Sequence, residues 1–253
     1  MRVLKDIYYS LDEIKEKTLD AYIPDGDIKA VFLYMHGGGL TCGSKSDSAD
    51  MIAEHLASQG IGYVTVEYRM YPTAKYPDFI NDCAEAVAWC KNTMRELFGT
   101  ERLYVGGSSA GGYLSMMLCF DKSYLERVGL SPDAIDGYFH DAGQPTAHFN
   151  VLKFSGIDHR RVIIDETAPL YHVGKEEKYP RMRFIVSDND MKNRYEQTML
   201  MLSTLSHFGY TDYDHVVMHG THCHYICKRD EHGESVFGEM ISDFINNAEN
   251  SKA

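Results

Sequence analysis

The chain is 253 residues long, with 44% hydrophobic and 12% aromatic residues, which is ample for a packed core and argues against disorder. Its 25 Lys and Arg against 37 Asp and Glu give a formal charge of −12, so a polyanion-binding surface, which needs clustered cations, is disfavoured and no nucleic-acid partner is expected. One domain over residues 1–253 is the expectation for this length.

The opening MRVLKDIYYS has no apolar stretch after its basic residues and reads as neither a secretory signal nor an anchor. The apolar run Ala30 to Met35 is far too short to span a bilayer, so a cytoplasmic location without membrane contact is expected. Val3 to Tyr9 and Thr18 to Ile23 are predicted strands, the second closed by the turn signal Pro24, Asp25, Gly26. Ala30 to Met35 is a continuous apolar strand that runs straight into glycines. A helix over Asp47 to Ser58 stops at Gly60, a β-branched and aromatic strand covers Gly62 to Tyr68, and Asp78 to Met94 is the next helix. Arg102 to Val105 is a short strand before a glycine-rich turn and a helix over Ala110 to Phe120, and Ile135 to His140 is another strand.

From Asp141 to Tyr179 the sequence is broken by Pro145, Gly156, Pro169 and Gly174 and has little periodicity, as expected of a functional loop or lid insertion. Strands over Arg183 to Ser187 and Tyr213 to Met218 alternate with helices over Asn193 to Phe208 and Glu231 to Asn246, and the tail NNAENSKA is expected to fray. This alternation predicts an α/β fold, a mostly parallel open twisted sheet covered by helices on both faces. A (β/α)8 barrel would suit the same length and alternation, and the turns decide between them. Cys42, Cys83, Cys90, Cys119, Cys223 and Cys227 form no CxxC pair and sit mostly in apolar segments, which favours reduced core thiols over a disulfide framework.

Gly107, Ser108, Ser109, Ala110, Gly111 fits Gly-x-Ser-x-Gly between a predicted strand and a predicted helix. In that context a tight turn projects the central hydroxyl, so Ser109 is the candidate nucleophile. His36, Gly37, Gly38, Gly39 follow the strand ending at Met35, and successive glycines let backbone N–H groups aim at a developing oxyanion. No Lys follows in Walker spacing and the Gly-x-Gly-x-x-Gly order is absent, so nucleotide binding is disfavoured. A serine nucleophile needs a base and the base a carboxylate, expected in the chain order Ser, Asp or Glu, His. Asp190 is preferred to Asp188, which is expected to bond its own turn, and His222 is preferred to His224, with His219 at the strand end. His219, His222, Cys223, His224 and Cys227 could alternatively ligate zinc, but no zincin spacing is present and no metal is assigned.

With those residues in place the chain resembles the α/β-hydrolase superfamily, and within it the hormone-sensitive-lipase-like and carbohydrate-esterase-like bacterial esterases. The resemblance rests on HGGG at 36–39, on GGSSAGG at 106–112 and on VEYRMYPTAKYPDFINDCAEAVAW, where Tyr68, Arg69, Pro72 and Asp82 match and Glu67 replaces an Asp. Ser108 and Ser187 depart from the family pattern without removing a catalytic group. The resemblance implies that Gly38, Gly39 and Ala110 supply oxyanion N–H groups, that His36 braces the glycine loop, and that the cap is minimal, since only residues 1–29 precede the oxyanion strand.

The expected activity is that of a serine carboxylic-ester hydrolase working through an acyl-enzyme on short acyl esters, acetylated sugars or xylo-oligosaccharides among them. No cofactor is implied, the partner is a small-molecule ester, and a homo-oligomer is open. An amide hydrolase of kynurenine-formamidase or peptidase type and a non-catalytic binding module on the same fold are the alternatives. Gln144, His148, Phe149, Asn150, Phe154 and Tyr171 could contact a sugar, although a solvated loop with a few buried aromatics is the preferred reading of that stretch. The charge of −12 fits an uncharged substrate better than an anionic one, or simply solubility.

Overall fold

The computed structural model describes residues 1–250. Eight strands form one sheet: β1 (Arg2–Tyr8), β2 (Thr18–Ile23), β3 (Ala30–Met35), β4 (Ile61–Val66), β5 (Leu103–Ser108), β6 (Gly137–Asp141), β7 (Arg181–Asn189) and β8 (Tyr213–Thr221). Their spatial order is β1-β2-β4-β3-β5-β6-β7-β8. β1 and β2, and β2 and β4, pair antiparallel; every other neighbouring pair is parallel. The open edges rule out the barrel.

The helices are α1 (Ala49–Ser58), α2 (Asp78–Phe98), α3 (Ala110–Phe120), α4 (Ser123–Glu126), α5 (Phe149–Phe154), α6 (Pro169–His172), α7 (Arg194–His207) and α8 (Val236–Asn250). Central strands such as AVFLYM in β3 are buried from end to end, because apolar layers cover both faces of the sheet. On one face Phe79, Val87, Leu114, Met117 and Met201 of α2, α3 and α7 pack against Val31, Leu33 and Val105. On the other, Ile52 and Leu56 of α1 and Phe237, Ile241 and Phe244 of α8 pack against Phe32, Tyr104 and Phe139.

Several boundaries differ from the predicted ones. β5 runs to Ser108 and β6 to Asp141, since pairing with a neighbouring strand continues into the glycines that end the apolar pattern. The last helix starts at Val236 instead of Glu231, because residues 229–235 form a turn closed by an Arg229–Ser235 bridge. It continues through Asn246 to Asn250, where fraying was expected, and residues 251–253 lie outside the described residues.

Two further expectations need correction. The 141–179 stretch is solvated only in part: residues 153–162 are exposed, but it carries α5 and α6, and Gln144, Thr146, Ala147, His148, Asn150 and Leu152 are buried. Of the cysteines, Cys83, Cys90 and Cys119 are core thiols, whereas Cys42 and Cys227 are exposed.

From β3 the chain crosses one way to β4 and then back past β3 to β5, which opens a crevice at the carboxyl ends of β3 and β5. The register aligns Met35 with Gly107 and Ser108 with Asp141, so the loops leaving β3, β5 and β6 start side by side. Among the described residues no helix is long and apolar enough to cross a membrane.

Candidate active site

Ser109 sits between β5 and α3 with φ 57° and ψ −110°, a strained conformation for a residue with a Cβ. It is held there by its own N–H, which donates to the Asp141 carbonyl at 2.8 Å, and by its carbonyl, which accepts from Tyr113 N–H at 3.0 Å. The turn thereby aims the hydroxyl out of the crevice floor toward the loop after β8. There Ser109 Oγ lies 2.8 Å from His222 Nε2, and His222 Nδ1 lies 2.6 Å from Asp190 Oδ1.

Asp190 is delivered by an irregularity: the β7–β8 register shifts between Ser187 and Asn189, and the chain turns just beyond it. Its side chain is fully buried, and it accepts N–H groups from Met191 at 2.7 Å and Ser187 at 3.2 Å. Burial pushes its carboxyl up, but the hydrogen bond from His222, the charge of that ring and the two backbone donors outweigh burial and hold it below the usual carboxylate value. An ionised Asp190 only accepts, so His222 carries its proton on Nδ1 and Nε2 accepts from the Ser109 hydroxyl. Such a relay can withdraw a proton from Ser109 as the oxygen attacks an electrophile.

The alternatives weighed in the sequence are placed elsewhere. Asp188 reaches across to β8, with Oδ2 2.6 Å from His219 Nδ1 and Oδ1 accepting from Gly220 N–H at 2.9 Å. His219 is almost fully exposed, and His224 directs Nδ1 to the Thr221 carbonyl at 2.8 Å. Among the described residues no group of three or more His, Cys, Asp or Glu side chains could hold a metal ion.

The glycine loop lies against the Ser109 turn. A Cβ on Gly37 would come within 3.2 Å of the Ser108 carbonyl oxygen and 3.3 Å of Ser109 Cβ, closer than side chains normally pack. Gly38 turns at φ 105°, where a larger residue is strained. His36 braces the loop: its Nδ1 lies 2.7 Å from the Gly37 carbonyl, its Nε2 3.0 Å from Glu67 Oε1, and its ring stacks on Tyr68 at 4.4 Å. Tyr68 in turn donates its hydroxyl to the His36 carbonyl at 2.8 Å. The adjacent Arg69 forks onto buried Asp82 at 2.8 and 2.7 Å, which fixes this segment to α2. Among the described residues no protein acceptor takes the N–H of Gly38, Gly39 or Ala110.

Four residues at the site were not assigned these places from sequence. Asn150 donates to the Gly39 carbonyl at 2.6 Å, which ties its amide to the glycine loop. Asp141 is buried behind Ser109, and the Tyr225 hydroxyl, on the far side of the His222 loop, donates to its Oδ1. Burial raises its carboxyl to about 6, although Tyr225 and the charge of His222 oppose the rise. Arg194 is buried and donates to the Ala142 carbonyl and, at 3.4 Å, to Gln144 Oε1. Burial lowers its pKa and the nearby Asp190 charge resists that. Its signal was available: Arg194, Thr198, Met201 and Leu205 share the buried stripe of α7, an unusual place for an Arg.

The remaining candidates of the 141–179 stretch divide. His148 is buried, capping α5 through Nδ1 at 3.2 Å from Asn150 N, while Phe154 stacks on Tyr71 at 4.0 Å and Tyr171 is exposed beneath Lys175. Gln144 and Phe149 line a cavity of about 520 Å3 beside the relay.

The BD-FAE profile matches residues 19–226. Over 98 residues the chain is 36% identical to the probable carboxylic ester hydrolase LipM of Mycobacterium tuberculosis, a stretch that covers 37% of this chain and 23% of that protein. The chain spans about a quarter of the length of the first curated relatives it matches. Esterase B from Lactobacillus rhamnosis superposes with a TM-score of 0.79 at 18% identity, covering 99% of this chain and 87% of that one. A truncated carbohydrate esterase from gut microbiota gives 0.79 at 14% identity, covering 98% and 96%. Identities that low speak to the fold alone. A profile match over most of the chain, on a sheet that superposes along its whole length, makes this protein a member of the BD-FAE family with the α/β-hydrolase fold.

Proposed function

We propose that the protein is a serine carboxylic-ester hydrolase that acts on short acyl esters, acetylated sugars among them, through an acyl-enzyme. The observation that carries this reading is the continuous relay from Ser109 Oγ to His222 Nε2 at 2.8 Å and from His222 Nδ1 to Asp190 at 2.6 Å. Ser109 Oγ attacks the ester carbonyl as His222 Nε2 takes its proton, and Asp190 stays ionised against the imidazolium. The carbonyl oxygen becomes an oxyanion held by the N–H groups of Gly38, Gly39 and Ala110, which no protein acceptor competes for among the described residues. His222 then returns the proton to the departing alkoxide, leaving the acyl group on Ser109. Water, deprotonated by the same ring, attacks the acyl carbonyl, and His222 passes that proton to Ser109 Oγ as its bond to the acyl carbon breaks, releasing the acid and free Ser109.

Phe149 and Asn150 close over the glycine loop, where a Cβ on Gly39 would meet the Phe149 ring at 3.4 Å and Asn150 Nδ2 at 3.2 Å. The ester class agrees with the name of the relative LipM. Turnover of p-nitrophenyl acetate should disappear in Ser109→Ala, and a fluorophosphonate should label Ser109 of the parent protein. Unchanged turnover in the variant, or label elsewhere, would sink the assignment. Assay against N-formylkynurenine at equal concentration tests the amide alternative, and faster turnover of that compound would displace the ester reading.

A further inference from the structure

The cavity of about 520 Å3 beside the relay is walled by Gln144, Phe149 and residues 159–162 on one side and by residues 191–194 with Gln197 on the other. Two of its lining residues connect it to the site: Met191 directly follows Asp190, and the Phe149 ring lies close to Gly39. Its lining holds Arg160, Arg161, Lys192, Arg194 and His159 and no Asp or Glu, in a chain where acidic residues outnumber basic ones by 37 to 25. Two of these cations are engaged, Arg160 with Asp158 at 2.6 Å and Arg194 with the Ala142 carbonyl and Gln144. Arg161 and Lys192 are exposed, and among the described residues neither side chain has a hydrogen-bond or ion-pair partner. They come from segments thirty-one positions apart and line one space together with Phe149 and Met191.

On a surface with so many carboxylates available, two unpartnered cations brought into one cavity free of acids are matched to an anion that arrives with the substrate. A guanidinium offers forked donors that suit a carboxylate, and a lysine adds a point charge. We infer that this cavity binds an anionic group of the substrate, so that the protein selects esters bearing a carboxylate. The inference rests on the ester-hydrolase reading for turnover, although not for binding. It also reverses the expectation drawn from the overall charge: a net charge acts on encounter at long range, whereas selection belongs to the charges that line the site.

The test uses two matched pairs of esters. Mono-p-nitrophenyl glutarate and its methyl ester place the charge on the acyl side; 4-acetoxybenzoate and methyl 4-acetoxybenzoate place it on the alcohol side. An exposed ion pair is worth up to about fivefold, so in one pair the anionic member should be favoured in kcat/KM by about tenfold, with the preference shrinking as salt is added. Arg161→Gln combined with Lys192→Gln should lower that ratio by about tenfold. Lys5→Gln combined with Lys228→Gln, which removes the same charge elsewhere, should leave the ratio where it was. The pair that responds identifies the side of the scissile bond. No preference in either pair, or the same loss in the control, overturns the inference even where neutral esters are hydrolysed. Should no ester be turned over, the activity reading fails by itself, and calorimetric binding of monomethyl glutarate to the Ser109→Ala protein decides the cavity. Binding weakened about tenfold by the double substitution supports it, and equal or absent binding overturns it.

Discussion

Replacing Asp190 by Asn changes one oxygen for an NH2 group and removes one charge, in a side chain with no solvent exposure. Oδ1 now accepts from both Met191 N–H at 2.7 Å and His222 Nδ1 at 2.6 Å, while Oδ2 accepts from Ser187 N–H at 3.2 Å. If the amide oxygen keeps the Oδ1 position, His222 retains its tautomer but loses a charge-assisted bond. Such bonds are worth about 1.5–3 kcal/mol, roughly 10- to 150-fold in kcat. If the NH2 takes that position instead, it points a donor at Nδ1, the ring carries its proton on Nε2, and the loss approaches about 10,000-fold. Either orientation sets an N–H against a backbone N–H in a buried space, at a cost of about 1–3 kcal/mol in stability. The assay is kcat for p-nitrophenyl acetate alongside urea unfolding, with Asp188→Asn as the comparison. Asp188 is half-exposed and paired with an exposed His219, so its loss should change kcat by less than about threefold. An Asp190→Asn protein within threefold of the parent, or an Asp188→Asn protein equally impaired, would refute the assignment.

Asp141 titrates the opposite way from Asp190. Its carboxyl is raised from 3.8 to about 6, so the folded state holds that proton more tightly than the unfolded chain, and its contribution to stability is lost as pH rises through that window. The shift corresponds to about 3 kcal/mol. Asp141→Asn can still accept from Tyr225, and urea unfolding should show its stability relative to the parent rising by up to that amount between about pH 3.5 and about pH 7; a constant difference would refute the account. Asn150→Ala frees the Gly39 carbonyl, and kcat should fall about tenfold with little change in KM, a split visible in steady-state kinetics, since it is the oxyanion loop that loosens. Arg69→Met leaves buried Asp82 with the backbone N–H of residue 69 at 3.1 Å and Lys17 at 3.9 Å in place of the forked guanidinium, and should cost about 3 kcal/mol in chemical denaturation.

The cluster behind Ser109 links the elements of the site to one another. Asp141 touches it twice, through its carbonyl to Ser109 N–H and through its carboxyl to Tyr225, three residues after His222. The Ser109 turn and the His222 loop are therefore tied to one residue at the end of β6, which helps to hold a strained φ of 57° at Ser109.

The order of motifs along the chain was enough to choose an open sheet over a barrel. Apolar runs ending in glycine or acid turns are local patterns, and a strand that runs into Gly-x-Ser-x-Gly has few other uses. The same patterns brought Ser109, Asp190 and His222 forward as candidates, because each follows a strand and all such ends face one crevice. Local patterns carry no record of partners far along the chain. That Asn150 would serve Gly39, that Asp141 would face Tyr225, and that the 141–179 stretch would be half core were decided by packing. Charge shows the same division most plainly. Composition fixes a total of −12, but only the tertiary structure brings Arg161 and Lys192 into one space whose lining holds no Asp or Glu, because an electrostatic site depends on distances that a sum over residues discards.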